Sequence, residues 1–101
     1  MTGTDCILAL KALGDPTRMR ILRPLLKEQL GVNEITELLG VSQYNVSKHL
    51  RILREAGLVE VEKQGRLRLY SVSANLKDQL ANNRNVLELG CCTFSFDKLP
   101  K

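Results

Sequence analysis

The stretch that most restricts the fold is the short hinge Gly40-Val41-Ser42, set between two apolar patterns of helical period. Before it, Ile35, Leu38 and Leu39 recur over Glu34 to Leu39, with Asn33 as the expected N-cap. After it, Val46, Leu50 and Leu53 form one apolar face of a helix that ends at Gly57. Glycine accepts the left-handed turn that closes a helix, and a serine oxygen can accept from the free N–H groups that open the next one. Two helices with so little chain between them make a helix-turn-helix.

The flanking patterns extend this reading. Asp5 to Leu13 carries Ile7, Leu8, Leu10 and Leu13 and reads as a helix stopped by Gly14. Asp15-Pro16 opens a second, with Met19, Leu22 and Leu26 on one side; Pro24 is expected to kink or end it. From Leu58 to Val72 the period changes to two. Val59 and Val61 alternate with Glu60 and Glu62, Gln64-Gly65 is the expected turn, and Arg66 to Tyr70 alternate again, which predicts a hairpin. Ser73 caps a last predicted helix with Leu76, Leu80 and Leu87 as its buried stripe and Gly90 as its stop. The order predicts a mainly α chain with a β-hairpin, a winged helix-turn-helix over residues 1–90, followed by a Cys-Cys tail at 91–101. Phe94 and Phe96 are two of only four aromatic residues, so the tail is expected to dock on the dimer rather than trail in solvent. A chain of 101 residues holds one small domain with a modest core, so homodimerisation is expected. No apolar run approaches the roughly 20 residues that span a bilayer, and no secretory pattern opens the chain, so no membrane partner and a cytoplasmic location are expected.

Net charge is only +4, but it is concentrated. Between Ser42 and Tyr70 lie Lys48, Arg51, Arg54, Lys63, Arg66 and Arg68 against Glu55, Glu60 and Glu62. A helix-turn-helix places the N-terminal residues of its second helix at base edges in the major groove. Here those are Ser42, Gln43, Tyr44, Asn45, Ser47, Lys48 and Arg51. Gln and Asn can pair with adenine, Lys and Arg with guanine or phosphate, and a Tyr ring can touch a thymine methyl or a sugar. The hairpin tip offers Lys63 and Arg66 to phosphates or a minor groove. Double-stranded operator DNA is therefore the expected partner. The competing reading is a winged helix that binds only protein, with Tyr44 in an apolar patch.

Three runs carry a family resemblance. Leu13-Gly-Asp-Pro-Thr-Arg-Met-Arg-Ile-Leu22 resembles the opening signature of the ArsR/SmtB repressors. So does the run from Val41 to Val59, and Lys63-Gln-Gly-Arg-Leu-Arg-Leu-Tyr70 is similar to the family's wing. The resemblance spans about residues 5 to 89. It implies a homodimeric winged-helix transcriptional repressor whose first and last helices pair across the dimer and whose operator is released by an inducer, often a metal or metalloid ion. The family's arsenic-binding Cys-Val-Cys run would fall on Gly31-Val32-Asn33, which has no thiol, and its zinc site on the last helix needs histidines that this chain lacks there. The single histidine, His49, matches a position in the recognition helix and reads as structural or DNA-facing.

The thiols are Cys6, Cys91 and Cys92. Two adjacent thiolates can converge on one soft ion, and trivalent arsenic or antimony takes three sulfurs in a pyramid. Cys91, Cys92 and Cys6 are thus the candidate ligands, with arsenite or antimonite as the leading inducer. Relatives with a C-terminal Cys-Cys pair carry a third Cys a few residues on, where this chain has Asp97 and Lys98. The alternatives are a thiol redox or persulfide switch, for example Cys6 with Cys91 or Cys92, and a metabolite inducer. An enzyme is not expected, because no Cys-x-x-Cys motif or general base accompanies the thiols.

Overall fold

The computed structural model describes residues 3–82, 86–89 and 92–96. The elements run α1 (Gly3–Leu13), α2 (Pro16–Leu25), α3 (Val32–Leu39), α4 (Gln43–Glu55), β1 (Val59–Gln64), β2 (Leu67–Val72), α5 (Ala74–Asn82), β3 (Val86–Glu88) and β4 (Thr93–Ser95). Helices α1 to α4 pack around Leu13, Ile21, Leu22, Ile35, Val46, Leu50 and Leu53, all essentially sealed from solvent.

Local chemistry sets the helix ends. The Asp15 Oδ1 accepts from the N–H groups of Thr17 and Arg18 at 2.8 and 3.1 Å, with Pro16 in the first turn where no donor is needed. Pro24, which has no N–H to give to the carbonyl of Arg20, lies one residue before the end of α2 at Leu25, as expected of a residue that ends a helix. The start of α3 differs from expectation. The Glu34 carboxylate reaches back to accept from the Gly31 N–H at 3.0 Å, so Gly31 is the N-cap and Asn33 lies exposed inside the first turn. At the hinge, Gly40 has φ 68° and donates to the Thr36 carbonyl at 2.9 Å. The Ser42 hydroxyl then accepts from Asn45 N–H at 3.2 Å, opening α4.

Strands β1 and β2 pair antiparallel from Val59↔Val72 to Gln64↔Leu67. The turn is therefore Gly65-Arg66, one residue later than expected, with Gly65 at φ 64°. A bridge of two hydrogen bonds joins this hairpin to the chain entering α3: Leu30 N–H to the Tyr70 carbonyl at 3.0 Å, and Tyr70 N–H to the Leu30 carbonyl at 2.8 Å. Helix-turn-helix followed by a hairpin is a winged helix.

The C-terminal part departs from the predicted long helix. Ser73 caps α5 as expected, its hydroxyl accepting from Leu76 N–H, but α5 ends at Asn82. Leu87 is buried from strand β3, not from a helix. The reason is the local period: Leu87 and Leu89 are buried while Glu88 between them is exposed, an alternation of two that a helix cannot present. Strand β4 pairs back along β3 in the register Val86↔Ser95, Leu87↔Phe94, Glu88↔Thr93. Phe96 is buried, with the Phe94 ring edge-on at 5.1 Å. Residues 92–96 thus pack on their own chain, with Phe96 in the core cluster; the expected boundary at 90/91 falls outside the described residues. Gly90 and Cys91 lie outside the described residues.

Candidate nucleic-acid interface

Helix α4 is split by its packing. Val46, Leu50 and Leu53 are buried against α2, α3 and β1. Ser42 at the cap and Gln43, Tyr44, Asn45, Ser47, Lys48 and Arg51 on the helix are all exposed. Tyr44 is 77% exposed, an aromatic ring that this fold leaves in solvent. Arg51 donates from Nε to the Glu55 Oε1 at 3.1 Å, but both side chains are well exposed, so the pair is weak and can be exchanged for another anion.

The wing completes the surface. Lys63 and Arg66 are exposed near its tip. A cavity of about 320 Å³ between the start of α3, the start of α4 and the wing is lined in part by Gln43, Arg66 and Arg68. The fold therefore brings Gln43 and Arg66 to one concave surface, although they are far apart in sequence. Arg68 is a further cation there. It stands directly opposite Lys63 in the ladder, where two like charges repel at a cost that a polyanion would relieve.

Two residues that hold α4 in place are contacts between distant parts of the chain. Arg18 donates from Nε to the Ala12 carbonyl at 2.6 Å and from Nη2 to the Lys11 carbonyl at 3.1 Å, and its Nη1 lies 3.2 Å from the His49 Nδ1. A guanidinium can only donate, so the His49 Nδ1 is the acceptor and the ring is neutral with its proton on Nε2. Burial holds the His49 pKa below its usual value; Asp15 opposes this in part, while Arg18 and Lys48 add to it. For Asp15, burial pushes its carboxyl up, but the N–H groups of Arg18 and Thr17, the charge of Arg18 and, at the acidic pH where its ring is protonated, that of His49 outweigh it and leave the pKa lowered. His49 is thus a strut between α4 and the α1–α2 corner. Arg20 donates from Nη2 to the Leu39 carbonyl at 3.1 Å and braces the end of α3 beside the hinge.

Of the three candidate cysteine ligands, Cys6 and Cys92 are among the described residues. Cys6 is fully buried on α1 and is disulfide-bonded. Cys92 is a free, half-buried cysteine at the start of the returning strand. Cys91 lies outside the described residues. In this state the Cys6 sulfur is already bonded and is not a thiolate ligand. No helix among the described residues is long and apolar enough to cross a membrane.

Residues 15–61 match the model of the bacterial regulatory protein arsR family. The HTH-type transcriptional regulator NmtR of Mycobacterium tuberculosis is 38% identical over 85 residues, covering 80% of this chain and 71% of that one. The chain belongs to the ArsR family. A second relative, the "Probable mercury resistance operon repressor" of Streptomyces lividans, is 35% identical over 89 residues, covering 82% of this chain and 71% of the other. Among solved structures, the homodimeric winged helix-turn-helix DNA-binding domain of a possible ArsR-family transcriptional regulator from Mycobacterium bovis superposes with a TM-score of 0.71 at 26% identity, over 76% of this chain and 71% of that one. The family match runs from the Asp15 cap through α4 and into β1, so the ArsR signature coincides with the helix-turn-helix. The β3–β4 hairpin lies beyond it.

Proposed function

We propose that this ArsR-family protein is a transcriptional repressor that binds duplex operator DNA as a homodimer and releases it when the state of its cysteines changes. The observation that carries the DNA reading is the two-sided α4: a fully exposed polar N-terminal face over a fully buried apolar one, beside a basic wing. In this reading Gln43 and Asn45 pair with base edges, and Tyr44 meets a thymine methyl or a sugar. Ser42 and Ser47 adapt to either strand. Lys48 and Arg51 contact guanine or phosphate, while Lys63 and Arg66 hold the flanking backbone. The dimer rests on α1, whose buried face carries Cys6, Ala9 and Leu13 while Ile7, Leu8 and Leu10 remain 42–48% exposed. An exposed apolar stripe beside a buried one calls for a second partner. Pairing through α1 would set two α4 helices about 34 Å apart, one turn of DNA.

The disulfide at Cys6 favours an oxidation-linked signal. Two thiols and one peroxide give one disulfide and two waters, and a dithiol reductant reverses the step. Because Cys6 lies on α1, its oxidation state acts on the helix that would set the dimer geometry. A second reading keeps arsenite or antimonite as the inducer, bound to the reduced thiols of Cys6, Cys91 and Cys92. The kinship with a mercury resistance repressor supports a soft ion.

The test is operator binding, with the operator selected from random duplexes, for wild type and for Cys6→Ser, Cys91→Ser and Cys92→Ser. Reduced wild type should bind with a log–log salt slope near −7, from about eight phosphate contacts per dimer. Peroxide should release it, and Cys6→Ser should bind but fail to respond. Release by arsenite without release by peroxide selects the soft-ion reading. A slope near zero contradicts the DNA surface.

A further inference from the structure

We propose that the groove between α2 and α3 is a binding site for an organic carboxylate with an apolar body. The groove encloses about 520 Å³, inside the range of about 300–1,000 Å³ usual for small-molecule sites. Among the described residues that line it there is no cysteine and none of the α4 residues assigned to DNA above.

Three observations define the ligand's chemistry. Arg20, Arg23 and Lys27 line the groove at spacings of three and four residues, which aligns them along one side of α2 and the turn that follows it. Among the described lining residues the one carboxylate is the exposed Glu28; Arg23 has a contact of its own, so Arg20 and Lys27 are the cations that face a ligand. The opposite wall, on α3, is apolar: Leu38 is 60% exposed with Leu39 half-buried beside it, and Pro24 adds a half-buried apolar residue on the α2 side. A single exposed leucine needs no explanation, but one that faces a row of cations across a concavity matches a molecule with an apolar body and an anionic end. DNA phosphates have no use for that wall.

Arg20 is held ready. Its bond to the Leu39 carbonyl uses one of five guanidinium donors and fixes the head group across the groove. A fixed planar guanidinium accepts a carboxylate with little further ordering, in the paired geometry that favours carboxylates over neutral oxygens. Because the same bond braces the end of α3 next to Gly40, an anion on Arg20 acts on the hinge that aims α4.

The probe is 1-naphthoate, titrated into the intact protein by fluorescence and calorimetry, with 1-naphthalenemethanol as the uncharged analogue. Saturable binding of one naphthoate per chain is expected, with the alcohol weaker by about tenfold, the loss of a charged hydrogen-bond pair. Leu38→Glu and Lys27→Glu should each weaken naphthoate by about tenfold or more while leaving helical content unchanged, since both side chains are exposed. Equal binding of acid and alcohol overturns the proposal. So does binding that both variants retain, which would place the probe elsewhere, for example on the exposed face of α1. If wild type binds no naphthoate and Lys27→Glu instead lowers operator affinity, the cations serve DNA phosphates and the site is withdrawn.

Discussion

His49 accepts from Arg18 only while its ring is neutral. Its pKa in the folded chain is lowered from 6.5, so the unfolded chain takes up the proton more readily. Stability is therefore complete above about pH 6.5 and falls as pH drops through the folded value. Protonation removes the acceptor and sets a cation beside Arg18 and Lys48, with only Asp15 to offset it. We expect the urea midpoint of wild type to be lower at pH 5.5 than at 7.5, and His49→Gln to show a smaller difference between the two. The same loss in the variant would mean that another group titrates. Asp15 works in the same direction but lower, its contribution disappearing below about pH 3.8.

At the scale of elements, the wing and α4 make different demands on DNA. Arg66 sits in the two-residue turn of the β1–β2 hairpin; with the phosphate contact proposed for it, Arg66→Ala should weaken all duplexes alike. Losing two such contacts per dimer should reduce the magnitude of the salt slope by about 2, read from binding over a range of salt concentrations. Gln43→Ala should instead cost about 1–3 kcal/mol on the preferred operator and little on random sequence, read by competition between the two duplexes. Equal losses on both would remove Gln43 from base readout.

The elements were unequally legible. The hinge at Gly40 and Ser42, the Asp15 cap and the β1–β2 alternation could be read because each depends on neighbouring residues. The C-terminal hairpin could not. Leu76, Leu80 and Leu87 fall at spacings of four and seven that mimic a helix, and the competing alternation of Leu87 with Leu89 is only three residues long. The start of α3 was misplaced because Asn33 and Gly31 can both precede a helix, and the Glu34 side chain decides between them. In the DNA-facing set, exposure followed directly from the burial of Val46, Leu50 and Leu53. The Arg18–His49 strut and the Arg20 brace join residues too distant in sequence for any local pattern to reveal.

For the whole molecule, the exposed apolar residues of α1 are surface that a second copy of the chain would cover. Leu8→Glu puts a charge into the proposed dimer contact without touching the buried face that holds Cys6, Ala9 and Leu13. We expect a folded monomer by sedimentation, with operator affinity reduced by at least about 100-fold because one α4 reads only a half-site. A dimer that survives the substitution would move the contact elsewhere.

The Leu30–Tyr70 bridge has a consequence for how such a molecule can diversify. It clasps the wing to the chain that enters α3, so everything between Asp15 and Val72 is tied into one reading head. The cysteines all lie outside that head, in the first helix and the final segment. Substitutions that retune the signal therefore need not disturb the part that recognises sequence. An ancestral operator can be kept while the chemistry that commands it is exchanged.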